Sequence, residues 1–124
     1  ILLKFDDITS ILSLGDCKVE NNKLKISTGT SAIMFSNIVQ LDNNVTSFEA
    51  RSKHNDDCEI SSFQVSNDGG INFNEGNKQY NLVDRLNEKI SFTATGKRVQ
   101  ITITLKSDSD NSKPELDNFT LLVK

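Results

Sequence analysis

Two cysteines, one histidine, one tyrosine and two acidic loops hold most of the side chains in these 124 residues whose types suit covalent, metal or stacking chemistry. His54 lies in the polar run Arg51-Ser-Lys-His-Asn-Asp-Asp57, and no Gly-x-Ser-x-Gly elbow exists to present a serine to it, so a surface loop histidine is expected rather than a catalytic base. Cys17 and Cys58 stand 41 positions apart, too far for a CxxC redox or zinc motif and too few for a disulfide scaffold. They are either bonded to each other or two buried thiols, each opening a strand. The acidic loops, Asp56-Asp57-Cys-Glu59 and Asp108-Ser-Asp110 with Glu115 and Asp117 nearby, offer carboxylate oxygens. Calcium needs about six to eight oxygens converging on one point, and the EF-hand pattern is absent. The expected cofactor is therefore none, with Asp108, Asp110 and Asp117 as the set a calcium ion would use. A glycosidase would need two carboxyl groups about 5–9 Å apart, a separation that no sequence displays. The expected activity is non-enzymatic.

The shortage of His, Trp and Tyr narrows the chemistry further. With no Trp and a single Tyr, Tyr80 is the candidate ligand contact, because the seven Phe are expected in the core. A net charge of −3 and a pI near 5.1 disfavour a grip on nucleic-acid phosphates. No apolar run approaches the roughly 20 residues that span a bilayer. Asn44-Val-Thr46 and Asn118-Phe-Thr120 match the N-glycosylation pattern at the frequency chance supplies in a chain this rich in Asn, Ser and Thr. The chain opens on Ile-Leu-Leu-Lys-Phe without Met or a basic leader and reads as a mature product or excised module.

Alternation of apolar and polar residues dictates the elements that must hold these groups. It is clearest in Val99-Gln-Ile-Thr-Ile-Thr-Leu105, and 90–94 alternates just before it, so Gly96-Lys97 is read as the turn of a hairpin over 89–105. Asn21-Asn22 marks a second hairpin over 18–26, since Asn tolerates the left-handed conformation that tight turns need. Further strands are expected at 32–41, 45–52, 59–66 and 79–83, with polar loops at 42–44 and 53–57. Ile8, Ile11 and Leu12 share one face of either a short helical turn over 6–14, capped by Asp6 or Asp7, or a loop. The apolar ends, 1–5 and 119–123, are expected to pair. Nine or ten short antiparallel strands define one domain over 1–124, an all-β, two-sheet β-sandwich of jelly-roll type.

Two strings carry resemblances. Ser66-Asn-Asp-Gly-Gly-Ile-Asn-Phe73 resembles the Asp-box hairpin, Ser-x-Asp-x-Gly-x-Thr-Trp, of sialidases and other secreted β proteins, with Asn72 in place of Thr and Phe73 in place of Trp. That resemblance implies a structural turn of Ser66, Asp68, Gly69, Gly70 and Phe73, with Phe73 packing back on the sheet. Residues 96–105, the polar loop 106–113 and Pro114-Glu-Leu-Asp-Asn-Phe-Thr-Leu121 are similar to the closing segment of jelly-roll modules in phage tail and baseplate proteins. The likeness covers 60–124 and implies a non-catalytic attachment or assembly module of a virion. Its partners would be a host-surface glycan or neighbouring virion proteins, and its place the virion or the cell exterior. A purely structural adaptor is the alternative and a glycan-processing enzyme fragment the remote one; self-association stays open.

Overall fold

The computed structural model describes residues 1–108 and 113–124. Ten strands are formed among them: β1 Leu2–Lys4, β2 Ile11–Ser13, β3 Cys17–Glu20, β4 Lys23–Ile26, β5 Ser31–Ser36, β6 Val39–His54, β7 Ser62–Ser66, β8 Tyr80–Asn81, β9 Ile90–Lys106 and β10 Glu115–Val123. Every strand pairing is antiparallel. One layer runs β9-β6-β10-β4-β3 with β1 beside β10, and the other runs β2-β5-β9-β7-β8. The layers share β9, whose first half pairs β6 and whose second half lies between β5 and β7. This is the jelly-roll type of antiparallel β-sandwich that the alternation demands. Leu24, Phe48, Ala50, Leu116, Phe119 and Leu121 of one layer meet Met34, Phe63, Val65, Ile101, Ile103 and Leu105 of the other in one core.

Local chemistry explains the elements that match expectation. Asn21 and Asn22 take φ of 54° and 61°, the paired left-handed residues of a tight hairpin, and β3 and β4 pair in register on either side. The chain ends meet as expected, with Leu2 opposite Thr120 and the amino group of Ile1 donating to the Leu121 carbonyl at 2.9 Å.

Four expectations are corrected. Gly96-Lys97 is no turn: β9 runs unbroken from Ile90 to Lys106, and the change of alternation phase that looked like a hairpin is a bulge. Between Gly96 and Ser91, β9 spends residues 92–95 opposite the single Thr46. Gly96 is glycine because the Asn67 carbonyl lies where a Cβ would stand. Likewise 42–44 is not a loop between strands but an expansion within β6, where 41–44 lie opposite the single Lys97. At 6–14 the turn is a 3₁₀ turn, Ile8–Ser10, capped by Asp7 accepting from the Thr9 N–H at 2.9 Å. Ile8 and Leu12 are 56% and 62% exposed, so only Ile11 of the expected apolar face reaches the core. Cys58 closes a 3₁₀ turn, Asp56–Cys58, instead of opening a strand, and β7 begins later, at Ser62.

Candidate functional site

The Ser66–Phe73 segment folds as a self-bonded turn rather than the expected hairpin, since no strand follows β7 until Tyr80 and Asp68 makes only a lone bridge to Arg98. The Ser66 hydroxyl donates to Asp68 Oδ1 at 2.7 Å and accepts from the Gly70 N–H at 2.9 Å. Asp68 also accepts from the Asn72 N–H at 2.9 Å and from the Asn72 amide at 3.0 Å. Partial burial works against the Asp68 charge, but these bonds outweigh it and hold the carboxyl below its usual range. Gly69 and Gly70 take φ of 79° and 86°. The Gly69 N–H donates to the Arg98 carbonyl at 2.8 Å, which ties the turn to β9. Phe73 is only half-buried and, with Phe35, stays outside the core, so the expectation that the Phe are used up inside holds for Phe5, Phe48, Phe63 and Phe119, with Phe92 packed at the margin.

Tyr80 is placed differently from expectation. It is 1% exposed, its ring packed against Phe48 and Phe63 at centroid distances of 5.8 and 5.5 Å, so it offers no face to a ligand. Its hydroxyl accepts from Asn74 Nδ2 at 3.0 Å and donates to Glu75 Oε2 at 2.8 Å. His54 ends strand β6 rather than lying in a loop, with Nδ1 2.6 Å from the Ser52 hydroxyl. Cys17 and Cys58 are free and buried, and burial pushes their thiols to about 12 and about 11, which leaves little reactive thiolate at neutral pH.

Of the three expected calcium ligands, only Asp108 and Asp117 lie among the described residues. Asp108 is exposed, Asp110 lies outside the described residues, and Asp117 sits 3.7 Å from both Lys23 and Lys53, whose ammonium groups occupy its carboxylate. Among the described residues no cluster of three or more His, Cys, Asp or Glu could hold a metal ion.

A groove of about 480 Å³ opens at the end of the sandwich where the chain crosses between layers. Two crossings build it. Residues 27–30 lead from β4 to β5, and the Thr30 carbonyl accepts from the Ser107 N–H at 2.8 Å where β9 leaves for β10. A third crossing, after β6, braces the far wall: Asn55 donates to the Lys113 carbonyl at 2.9 Å and accepts from the Glu115 N–H at 3.0 Å, while Asp57 accepts from the Lys113 N–H at 3.2 Å. Lys18, Glu20, Lys25, Thr30, Lys113 and Glu115 supply the groove's polar groups.

These charges are paired within β3 and across to β4 and β10. Glu20 lies 3.3 Å from Lys18 and 3.3 Å from Lys25, and Lys25 reaches Glu115 at 3.7 Å. The hydrogen bond from Lys25, with that from Lys18, holds the Glu20 carboxyl below its usual range, so it stays ionised and is unsuited to act as a general acid. The groove is a set of fixed donors and acceptors without an aromatic platform. The sequence does carry a signal for it: in the hairpin about Asn21-Asn22, alternation puts Lys18, Glu20, Lys23 and Lys25 on the face opposite Leu24. That signal reads as an ordinary wet face until the distant Ser107, Lys113 and Pro114 come to line it.

No protein-family model matches the chain, and no curated protein matches it. Solved structures do. A family 35 carbohydrate-binding module (CBM35) from Paenibacillus barcinonensis aligns over 100% of this chain and 99% of its own, with a TM-score of 0.53 and 13% identity. CBM86 from the xylanolytic gut symbiont Roseburia intestinalis, a low-affinity xylan-binding module, aligns over 100% of this chain and 95% of its own, with a TM-score of 0.54 and 17% identity. At such identities the likeness is one of fold. Neither is described as a virion protein, and no helix among the described residues is long and apolar enough to cross a membrane.

Proposed function

We propose that the chain is a non-catalytic carbohydrate-binding module that holds a glycan in the groove at the layer-crossing end. The observation that carries this reading is the groove itself: hydrogen-bonding side chains held by crossings from three parts of the chain, on a sandwich fold shared with two carbohydrate-binding modules. Hydroxyl-rich ligands are recognised by convergent polar groups of this kind. Without a ring to stack on, the groove binds weakly, with a Kd near 1 mM, equivalent to about −4 kcal/mol. Such a ligand places the module outside the cell. The virion setting has only the 60–124 resemblance behind it, and the adaptor alternative leaves the groove without a task.

The test is electrophoresis through gels containing soluble polysaccharides, xylan among them, with calorimetry on any that retard the protein. Lys113→Ala and Glu20→Gln, both at the solvent side of the groove, are expected to weaken retardation at least about three-fold, the cost of one lost polar contact. If no polysaccharide retards the wild type, or if both variants run as it does, the groove is not a glycan site.

A further inference from the structure

The outer face of the first layer is the cationic side of an acidic molecule. Phe48 and Ala50 of β6, Phe119 and Leu121 of β10 and Leu3 of β1 point into the core, so the residues that alternate with them point outward. The register sets these in rows: Leu2, Thr120 and Arg51 lie side by side, as do Lys4, Asn118 and Lys53. Leu122 stands beside Glu49, and the pairing of Phe48 with Ile90 puts Lys89 on the other side of Glu49. Away from the groove this face holds Lys4, Arg51, Lys53, Lys89 and Lys124 against Glu49 and Asp117, although the whole chain carries a net charge of −3.

A pocket of about 230 Å³ opens on this face, with Arg51, Lys89, Lys124, Glu49 and Leu122 in its lining. Its cations are not consumed by the protein. The Arg51 side chain is 61% exposed and reaches Glu49 only at 4.0 Å, too far for a hydrogen bond, so its fork stays open to an outside acceptor. Among the described residues no carboxylate pairs with Lys4, Lys89 or Lys124, and Glu88, next to Lys89, is held by Arg85 at 2.9 Å. Lys124 is fixed at the rim: its N–H donates to the Ser47 carbonyl at 3.0 Å and its carbonyl accepts from the Ser47 N–H at 3.1 Å. Gathering unpaired like charges costs self-repulsion, which a bound anion relieves.

We infer that this pocket is a second carbohydrate site, which takes one carboxylate-bearing sugar of an acidic polysaccharide. Arg51 and Lys89 hold the carboxylate, Leu122, 40% exposed, meets the apolar face of the ring, and Glu49 accepts from a ring hydroxyl. The pocket is smaller than the roughly 300–1,000 Å³ of sites that bury a drug-sized molecule, so it holds a single ring and the rest of the polymer lies over the face. Lys53 and Lys4 stand in the row beyond Arg51, about 10 Å apart across β10, where they meet carboxylates of the sugars that follow. Charge selects the occupant, since a neutral chain would leave these cations unpaired. The polysaccharide class rests on the carbohydrate-binding reading above, but no groove residue is used.

The experiment is calorimetry of wild type, Arg51→Gln, Arg51→Lys, Lys89→Gln and the groove variant Lys113→Ala on three probes: polygalacturonate, the same polymer with its carboxyls reduced to alcohols, and dextran sulfate. The substituted side chains are exposed, so melting curves are expected to match wild type. Polygalacturonate is expected to bind and its reduced form not to bind. Arg51→Gln is expected to lose about ten-fold, the worth of a hydrogen bond between charged groups, and Arg51→Lys to recover only part of that. Lys89→Gln is expected to lose about three-fold. If wild type ignores polygalacturonate, or if Arg51→Gln and Lys89→Gln bind it as wild type does, the pocket falls; retardation by neutral xylan that Lys113→Ala abolishes would then leave the carbohydrate-binding reading standing. Loss in Lys113→Ala alone would move the acidic ligand to the groove. Dextran sulfate bound as tightly as polygalacturonate, with Arg51→Lys equal to wild type, would reduce the face to a diffuse cationic field and overturn the proposal. So would tighter binding to phosphatidylglycerol vesicles, which would make the face a membrane-contacting one.

Discussion

Tyr80 shows how far one side chain's role depends on where the chain buries it. In the sequence it stands alone as the polar-tipped aromatic, which suits a ligand contact. In the fold its hydroxyl is the centre of a buried network: Asn74, which bonds it, also accepts from the Thr93 N–H at 2.9 Å and donates to the Ser91 carbonyl at 3.0 Å. Tyr80→Phe therefore removes two hydrogen bonds and is expected to cost about 1–2 kcal/mol in urea denaturation while leaving polysaccharide retardation unchanged. Lost retardation with unchanged stability would restore the ligand reading. The same residue sets an alkaline limit. Burial, then the hydrogen bond to Glu75, raises the Tyr80 hydroxyl from the usual 10.0 to about 12. The folded state thus holds the proton more tightly than the unfolded one, so this contribution is whole below pH 10.0 and lost as pH rises towards 12. Tyr80→Phe should flatten that decline.

Strand β9 carries the argument at the next scale, because it belongs to both layers and turns between them at its bulge. Gly96→Ala would drive a methyl group into the Asn67 carbonyl, whose residue also donates to the Ala94 carbonyl at 2.9 Å, so backbone on both sides must move. The expected loss is about 1–3 kcal/mol, read as a lowered melting temperature. A variant as stable as wild type would mean the bulge tolerates a side chain and is not a fixed joint. Gly96 also marks where the sequence ceased to be legible. A change of alternation phase next to glycine is the same signal whether the chain reverses or bulges, and only the pairing partner, β6, decides. Features set by neighbours in the chain were readable: the Asn21-Asn22 hairpin, the Ser66–Phe73 turn and the Asp7 cap. The groove was not, since Lys25 meets Glu115 across some ninety residues of chain. The half-exposed Phe35 was hidden for a different reason: in an alternating strand, nothing but the other layer says which face is inside.

For the molecule as a whole, the shared strand makes the two layers one cooperative unit. Leu2 pairs with Thr120 and Ser31 with Lys106, so closing either layer fixes contacts between residues far apart in the chain. Such topologies fold slowly, on the order of milliseconds to seconds. Losing β9 would strip the centre from one layer and an edge from the other at the same moment, which leaves neither able to persist alone. The exposed ion pairs of the first layer do not alter this, since each contributes under about 1 kcal/mol and is screened by salt. The chain has no Trp and one Tyr, so tyrosine fluorescence reports the core at Tyr80, where both layers meet, while far-UV circular dichroism reports the strands of both. The urea transitions from the two signals are expected to coincide, at low and at high salt alike. A dichroism signal that outlasts the fluorescence change would show one layer surviving the other, and β9 would then be a tether between two sheets rather than the strand that makes them one.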